Sequence, residues 1–403
     1  MNKEKPLVSI FVPYYNDKQY LSDCINSILK QTYENFELIL FNHSSTDGSK
    51  NIAHSFNDKR IIHIDAKENL GAGSGYNINI SLPYMHGKYL KLLCADDMLK
   101  EDGIQSLVNT LENNLDKDIV FADMDYVDAN LRPLNTTWSK EINKSDFISD
   151  EKQTLLKFFQ GYSHIAYPAA MIKMSAIKDI KIDNTLIMLF DVSLWVKLLI
   201  TGKKITFLEK SVVDYRVSDN QLSSFANIEK ASKIGYFELF QLLNVYYEIK
   251  DIDIIKYLCP CIYSQLLKKG DEEYIPFVLT YFLASLVCDN HIDYFKDQQS
   301  VREIFGCTKL FEFFQDENMR LKIEEKFGFG IKDFRAIYSY MSPKIHSYVP
   351  LKQHILNKTA RNLSILQLCF CIGRKIVHCV SPFYYIKKLK KKFSKNEHGQ
   401  YTV

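Results

Sequence analysis

The alternation of short apolar segments with amphipathic segments over the first hundred residues constrains the fold more than any other feature. Residues 7–12 (LVSIFV) are rich in β-branched and aromatic side chains and stop at Pro13, which is typical of a short buried strand. Further strands are predicted at 36–41, 61–64 and 89–93, with helices between them. This order predicts an α/β fold, with a Rossmann-like, mostly parallel sheet and helices on both faces. Ligands of such sheets bind beyond the carboxyl ends of the strands.

Composition limits the class of protein and its partners. At 403 residues the chain is long enough for two or three units, and 46% hydrophobic residues with 25% charged residues are typical of a globular protein. The net charge of +3 gives no support to general nucleic-acid binding. The nine cysteines lack a paired CxxC spacing, which indicates reduced thiols in the cytosol. No signal-peptide core is expected near the N-terminus.

The pattern changes near residue 226, where strand alternation gives way to aromatic-rich helical stretches. We therefore predict a catalytic domain over 1–225, a mainly helical accessory domain over 226–360 and a basic amphipathic tail over 361–403. The apolar run 275–288 is shorter than the roughly 20 residues that a membrane span needs, so a buried helix is expected there. The segment 361–393 has basic residues and no acidic one, which favours contact with an anionic membrane surface. A solvated basic tail is the alternative.

An acidic pair, Asp96 and Asp97, follows the predicted strand 89–93. Two adjacent carboxylates repel each other unless a cation neutralises them. Mg²⁺ and Mn²⁺ prefer carboxylate and diphosphate oxygens, so the pair is a candidate metal site for a nucleoside diphosphate. Capping of the following helix is the alternative for an isolated acidic pair.

Six motifs in order resemble glycosyltransferase family 2: VSIFVPYYN, SSTDGS, ENLGAGSGYN, GKYLKLLCADD, FDVSLW and YRVSDNQLS, over residues 7–224. The resemblance implies the GT-A fold, a nucleotide-sugar donor and inversion at the anomeric carbon.

The resemblance implies that the first turn borders the base and ribose of the nucleotide through Pro13, Tyr14, Tyr15 and Asn16. Simple packing is the alternative for the two tyrosines. Asn42 and His43 stand where the family usually has an acidic pair that recognises the base, and the Asn42 amide is expected to bond an imide edge. Asn77 matches a family asparagine, whereas Tyr76 stands where arginine is frequent. A UDP-sugar is the expected donor.

The family's acidic-x-acidic metal motif is Cys94-Ala95-Asp96 here, so its first carboxylate is missing. Asp96 and Asp97 are expected to hold the divalent metal, Mn²⁺ or Mg²⁺, and Asp96 also to contact the donor. A buried thiol is a poor ligand for a hard cation, so Cys94 is expected to be a strand residue. The resemblance implies that Arg216 pairs with the donor diphosphate.

Asp191 in FDVSLW stands at the family's catalytic base, although the preceding acidic residue is Phe190 here. Its apolar neighbours favour desolvation and a raised pKa, which suits a general base. A helix N-cap is the alternative for Asp191.

These observations predict an inverting hexosyl- or N-acetylhexosaminyltransferase that acts on a hydroxyl of a glycan or lipid-linked glycan. Surface polysaccharide biosynthesis at the inner face of the cytoplasmic membrane is the expected setting. The acidic residues missing at 42, 43, 94 and 190 leave one alternative, a catalytically inactive carbohydrate- or nucleotide-binding module of the same fold. A nicotinamide-dependent enzyme is disfavoured because no GxGxxG follows the first strand.

Overall fold

The computed structural model of the chain describes residues 5–69, 74–141, 150–162, 165–218, 228–286 and 299–341. The predicted basic segment 361–393 and residues 70–73, which belong to the Gly-rich motif ENLGAGSGYN, therefore lie outside the described residues.

The described residues form one sheet of nine strands in the order β3-β2-β1-β4-β8-β6-β9-β5, with β7 paired to β6. Their bounds are β1 (Val8–Tyr14), β2 (Phe36–Asn42), β3 (Ile61–Asp65), β4 (Tyr89–Leu92), β5 (Met98–Leu99), β6 (Ile119–Val127), β7 (Pro133–Thr137), β8 (Ala170–Lys173) and β9 (Ile205–Arg216).

The sheet is mixed in direction. β1 pairs in parallel with β2 and β4, β2 with β3, and β6 with β9. β8 runs antiparallel to both β4 and β6, and β5 and β7 are antiparallel to their partners. The four N-terminal parallel strands confirm the prediction from the alternating pattern. Their carboxyl ends meet at one edge, which is where the acidic pair and the first two turns were expected to lie.

Fifteen α-helices accompany the sheet within the described residues. Their bounds are α1 (Leu21–Leu29), α2 (Ser49–Ser55), α3 (Ser74–Ser81), α4 (Gly103–Asn113), α5 (Trp138–Glu141), α6 (Glu151–Phe159), α7 (Met174–Ile177), α8 (Phe190–Ile200), α9 (Ile228–Leu243), α10 (Ile252–Leu258), α11 (Ile262–Leu266), α12 (Ile275–Ser285), α13 (Gln299–Gln315), α14 (Glu317–Phe327) and α15 (Ile331–Met341).

Helices cover both faces of the sheet, as predicted. Alternate residues of β1 point to opposite faces, so Ile10 packs with α1 and α4, whereas Phe11 packs in the cluster that contains α8. Burial on both sides explains why these strands are continuous apolar runs rather than alternating ones.

The helical region beyond residue 226 shares its core with the sheet. Apolar residues of α9, α10 and α12 belong to the same buried cluster as Phe11 of β1 and Trp195 of α8. The expected buried helix is α12, in which nearly every side chain is buried. Within the described residues, no helix has both the length and the apolarity needed to cross a bilayer. The boundary at 226 thus marks a change of pattern, while the core continues across it.

The close packing of α12 on α13 generates a stability prediction. A Cβ at Gly306 of α13 would lie 2.3 Å from the backbone nitrogen of Ala284. Gly→Ala in an ordinary helix interior stabilises by about 1 kcal/mol. At this position we expect Gly306→Ala to lower the free energy of unfolding by about 1–3 kcal/mol, because two backbones must move apart.

Urea unfolding followed by circular dichroism measures the effect. Thr308→Ala at an exposed position of the same helix is the control, and it should leave stability unchanged or slightly higher. A stabilised Gly306→Ala protein would contradict the close packing of the two helices.

Candidate active site

The acidic cluster lies where the chain leaves β4. The Sγ of Cys94 and carboxylate oxygens of Asp96 and Asp97 all lie within 4.8 Å of one another. The Asp97 N–H donates to the Cys94 carbonyl at 3.2 Å and closes the turn. Asp97 is fully buried, and its Oδ1 accepts the backbone N–H of Arg216 at 3.0 Å. Its Oδ2 has no hydrogen-bond partner among the described residues.

The electrostatics of this cluster fit a divalent cation. Burial, and then the charge of Asp96, raise the pKa of Asp97 well above its usual range. A bound cation would offset both effects and would give the unpaired Oδ2 a partner. Burial also raises the pKa of the Cys94 thiol, which keeps it protonated and a poor ligand for a hard ion. The chemistry of the two carboxylates fits a hard cation better than that of the thiol, and their role as metal ligands stays a prediction.

Arg216, the last residue of β9, ties the acidic turn to the rest of the protein. Its Nε donates to the Asp96 carbonyl at 2.9 Å, its Nη1 to the Ala129 carbonyl at 2.8 Å and its Nη2 to Asp23 Oδ2 at 3.1 Å. The guanidinium also lies 4.3 Å from the ring centroid of Tyr20, and the residue is 2% exposed. These contacts place Arg216 as a support of the acidic pair. They give no support to the prediction that it pairs with the donor diphosphate, because its donors are directed into the protein.

Asp191 lies in the first turn of α8, one residue after its start. Leu189 occupies the cap position, so the alternative in which Asp191 caps the helix is wrong. Burial raises the pKa of Asp191 to about 6, while hydrogen bonds from its own and the Val192 backbone N–H oppose the rise. The charge of Asp191 in turn raises the pKa of Cys94. Asp191 therefore lies within electrostatic reach of the acidic cluster.

The turns after β1 and β2 are joined through Asn16. Its backbone is left-handed, with φ of 57°, and its Oδ1 accepts the Thr46 N–H at 2.8 Å. Its own N–H donates to Ser45 Oγ at 3.1 Å. The side chain that the resemblance assigns to nucleotide contact thus holds the two turns together.

The two tyrosines of the first turn have different surroundings. Tyr14 is 2% exposed and packs in the core, so the prediction that its side chain borders the base is wrong. Tyr15 is 46% exposed and its ring meets His43 edge-on at 6.4 Å. Tyr76 stacks on His43, with the ring centroids 6.2 Å apart and an interplanar angle of 27°. Tyr15, His43 and Tyr76 form an aromatic rim, beside the partly buried Pro13.

Asn42 is used inside the protein. Its Oδ1 accepts the Ser45 N–H at 2.9 Å, and its Nδ2 donates to Asp65 Oδ1 at 2.8 Å. Because the residue is buried and the amide is bonded at both ends, the prediction of a contact between Asn42 and an imide edge is corrected to a structural role. Asn77, in α3, is also buried, but its Oδ1 has no hydrogen-bond partner among the described residues.

Two residues of this edge were missed by sequence analysis. Burial raises the pKa of Asp17 to about 6, and the charges of Asp96 and Asp47 add to the rise. Lys91 of β4 is fully buried, and its Nζ donates to the carbonyls of Leu92 and Pro168. Burial lowers the pKa of Lys91 to about 7, against the opposing charges of Cys94 and Asp97. The sequence signal that could have identified Lys91 is a charged residue within an otherwise apolar strand.

Comparison with known proteins agrees with the geometry. The family model described as glycosyl transferase family 2 matches residues 9–181. An uncharacterized glycosyltransferase of Rickettsia typhi is 32% identical over 227 residues, which are 56% of this chain and 68% of that protein. The putative teichuronic acid biosynthesis glycosyltransferase TuaG of Bacillus subtilis is 27% identical over 261 residues, which are 64% of this chain and 93% of TuaG. The crystal structure of S. aureus TarS 1–349 in complex with UDP-GlcNAc superposes with a TM-score of 0.50 and 15% identity, over 85% of this chain and 95% of that chain.

A sheet of this topology, with an acidic cluster at the carboxyl ends of its parallel strands, defines a GT-A-fold glycosyltransferase. The chain belongs to glycosyltransferase family 2.

The contacts of Arg216 generate a prediction that distinguishes two roles of its side chain, stabilisation of the acidic turn and contact with the donor diphosphate. Arg216→Met leaves the Asp96 and Ala129 carbonyls without their donors, so we expect the free energy of unfolding to fall by about 3–5 kcal/mol. Arg216→Lys should recover only part of this loss, because one ammonium cannot reach three separate acceptors.

Urea unfolding measures both variants. Arg60→Met, which removes a more exposed guanidinium paired with Asp58, is the control and should cost about 1 kcal/mol or less. If Arg216→Met unfolded like the wild type but bound nucleoside diphosphate weakly, the guanidinium would face the donor instead.

Proposed function

We propose that this protein transfers a sugar, with inversion, from a UDP-sugar to a hydroxyl of a glycan or lipid-linked glycan. One observation carries the proposal: Cys94 Sγ and carboxylate oxygens of Asp96 and Asp97 lie within 4.8 Å of one another beyond the carboxyl end of β4, and the buried Oδ2 of Asp97 has no hydrogen-bond partner among the described residues. A base and a diphosphate site at the same edge are what an in-line displacement at an anomeric carbon requires.

The donor's nucleotide part is proposed to bind at the aromatic rim. Tyr15 offers an exposed ring, and Tyr76 stacks on His43. Burial lowers the pKa of His43, so a neutral imidazole stands where the family usually has a carboxylate. A neutral imidazole both donates and accepts a hydrogen bond, as an imide edge does. The superposed TarS structure holds UDP-GlcNAc, which agrees with a uridine donor.

Asp96 and Asp97 are proposed to hold Mn²⁺ or Mg²⁺. When bound, the metal supplies positive charge against the negative charge that grows on the leaving diphosphate. The unpaired, buried Oδ2 of Asp97 supports this assignment. Arg216 keeps the two carboxylates in place from below, through the Asp96 carbonyl and its own backbone N–H.

Asp191 is proposed to take the proton from the acceptor hydroxyl as that oxygen attacks the anomeric carbon. Its pKa near 6 makes it mostly ionised at neutral pH, yet more basic than an ordinary aspartate. The relative named for teichuronic acid biosynthesis supports a glycan acceptor. Contact with the cytoplasmic membrane face would come from the basic segment 361–393, outside the described residues.

A donor screen tests the proposed function. We expect one UDP-sugar to release UDP in the presence of Mn²⁺, because the acidic cluster needs a cation to bind a diphosphate. Release should fall to background with EDTA and return with excess Mn²⁺. A purified chain that binds a nucleotide sugar but releases no diphosphate with any acceptor extract would favour the inactive binding module.

The base assignment gives a second expected outcome. Asp191→Asn should lower kcat by about 100-fold or more while nucleotide affinity stays within about twofold, because the amide cannot accept the proton. In the wild type, kcat should fall as the pH drops through about 6, where the Asp191 carboxylate becomes protonated. Asp179→Asn, at an exposed position before α8, is the matched control and should turn over normally. Normal turnover by Asp191→Asn would refute the assignment.

A further inference from the structure

The segment that leads into α8 is held by a single carboxylate from the helical region. Glu238 of α9 accepts the backbone N–H groups of Ile187, Met188 and Leu189 at 2.6, 2.7 and 2.8 Å. Glu238 is 2% exposed, so these bonds are made away from water. Asp191 follows two residues after the last of these amides.

Three converging amide donors are a strong restraint on a short segment. Charge-assisted hydrogen bonds are roughly twice as strong as neutral ones, and a buried N–H that loses its acceptor carries the full cost of desolvation. Glu238 therefore fixes the direction in which the chain enters α8. The position of the Asp191 carboxylate depends on that direction, because its Oδ1 accepts a hydrogen bond from the N–H of the next residue, Val192.

The same carboxylate acts on Asp191 through its charge. After burial, the negative charge of Glu238 is the neighbouring charge that raises the pKa of Asp191. The charge of Asp191 in turn adds to the rise in the pKa of the buried Cys94 thiol, which stays protonated. The negative charge of Glu238 can thus raise the pKa of Asp191 while the Glu238 carboxylate itself binds backbone amides.

We propose that Glu238 is a positioning residue for the transfer reaction: by holding the amides of residues 187–189 it sets the place of the Asp191 carboxylate. This inference rests on the proposed function, in which Asp191 is the base. It extends the catalytic machinery into α9, beyond the part of the chain that the family model matches.

Glu238→Gln tests the proposal. A glutamine has one carbonyl oxygen and one NH₂ group, so it cannot accept three N–H bonds. We expect kcat to fall by about 10- to 100-fold, with UDP affinity within about twofold, because only the base is displaced. The acid limb of the kcat profile should move to lower pH, since the like charge is gone. Glu238→Asp, which keeps the charge, should retain more activity than Glu238→Gln and leave the limb nearer its wild-type position.

The matched control is Glu248→Gln. Glu248 is 58% exposed in its side chain and lies 3.9 Å from Lys197, on the same helix as Asp191. Its loss removes the same charge from the helical region without touching the amides at 187–189, so kcat and its pH limb should stay at wild-type values. If Glu238→Gln kept the wild-type kcat and limb, or if Glu248→Gln changed them equally, the proposal would be overturned.

Hydrogen exchange separates this proposal from the proposed function. The amides of residues 187–189 should exchange about 10-fold faster or more in Glu238→Gln than in the wild type, with the rest of α8 unchanged. If these amides exchanged at the wild-type rate in a folded Glu238→Gln variant, the proposal that Glu238 restrains residues 187–189 would be overturned. If the wild-type chain transferred no sugar but the exchange difference appeared, the restraint of residues 187–189 by Glu238 would be supported and the transferase proposal would fail. Should Glu238→Gln not fold, Glu238→Asp provides the same two measurements.

Discussion

The burial of the Asp97 carboxylate at the end of β4 is the constraint on which the functional edge depends. A buried carboxylate without a partner is costly, and here a second one, Asp96, lies beside it. The protein offers a backbone N–H from Arg216, the guanidinium of the same residue and the buried ammonium of Lys91. These groups lower the cost but leave one oxygen unpaired. The cation that we propose for this edge would stabilise the folded state, because it would bind the folded state alone.

The rim around this pair is built from turns that the same topology brings together. Parallel strands end at one edge, so the turns after β1 and β2 are neighbours, and Asn16 joins them through two hydrogen bonds. The charges of Asp96 and Asp47 help to raise the pKa of Asp17, which indicates that negative charge is concentrated at this edge. A diphosphate would add to this charge, which is a further reason why a divalent cation fits this site.

The parts of the fold that follow from local pattern could be predicted from the sequence. β1 to β4 were expected within one or two residues of their bounds, because strands buried on both faces are apolar runs that stop at polar turns. The place of Asp96 and Asp97 beyond the carboxyl end of β4 followed from the strand pattern, whereas the place of Asp191 beside them remains a prediction from the family resemblance. The hydrogen-bond partners of the polar side chains could not be predicted. Asn42 and Arg216 resemble ligand contacts in sequence, but their partners lie far along the chain, at Asp65, Asp23 and Ala129. The antiparallel β8 was missed for the same reason, since its pairing joins segments distant in sequence.

Glu238 shows the limit of dividing this chain at residue 226. No local signal marks a glutamate within an amphipathic helix as different from its solvated neighbours, and only the tertiary structure turns it toward the amides before α8. An apolar cluster joins α9, α10 and α12 to α8 and β1. This packing fixes α9, so that the Glu238 carboxylate can accept hydrogen bonds from three amides at once. A helical region that served merely as an appended domain would need no buried charge directed at the segment before Asp191. The continuous core and the directed carboxylate together show that the helical region packs on the sheet and restrains the segment before Asp191.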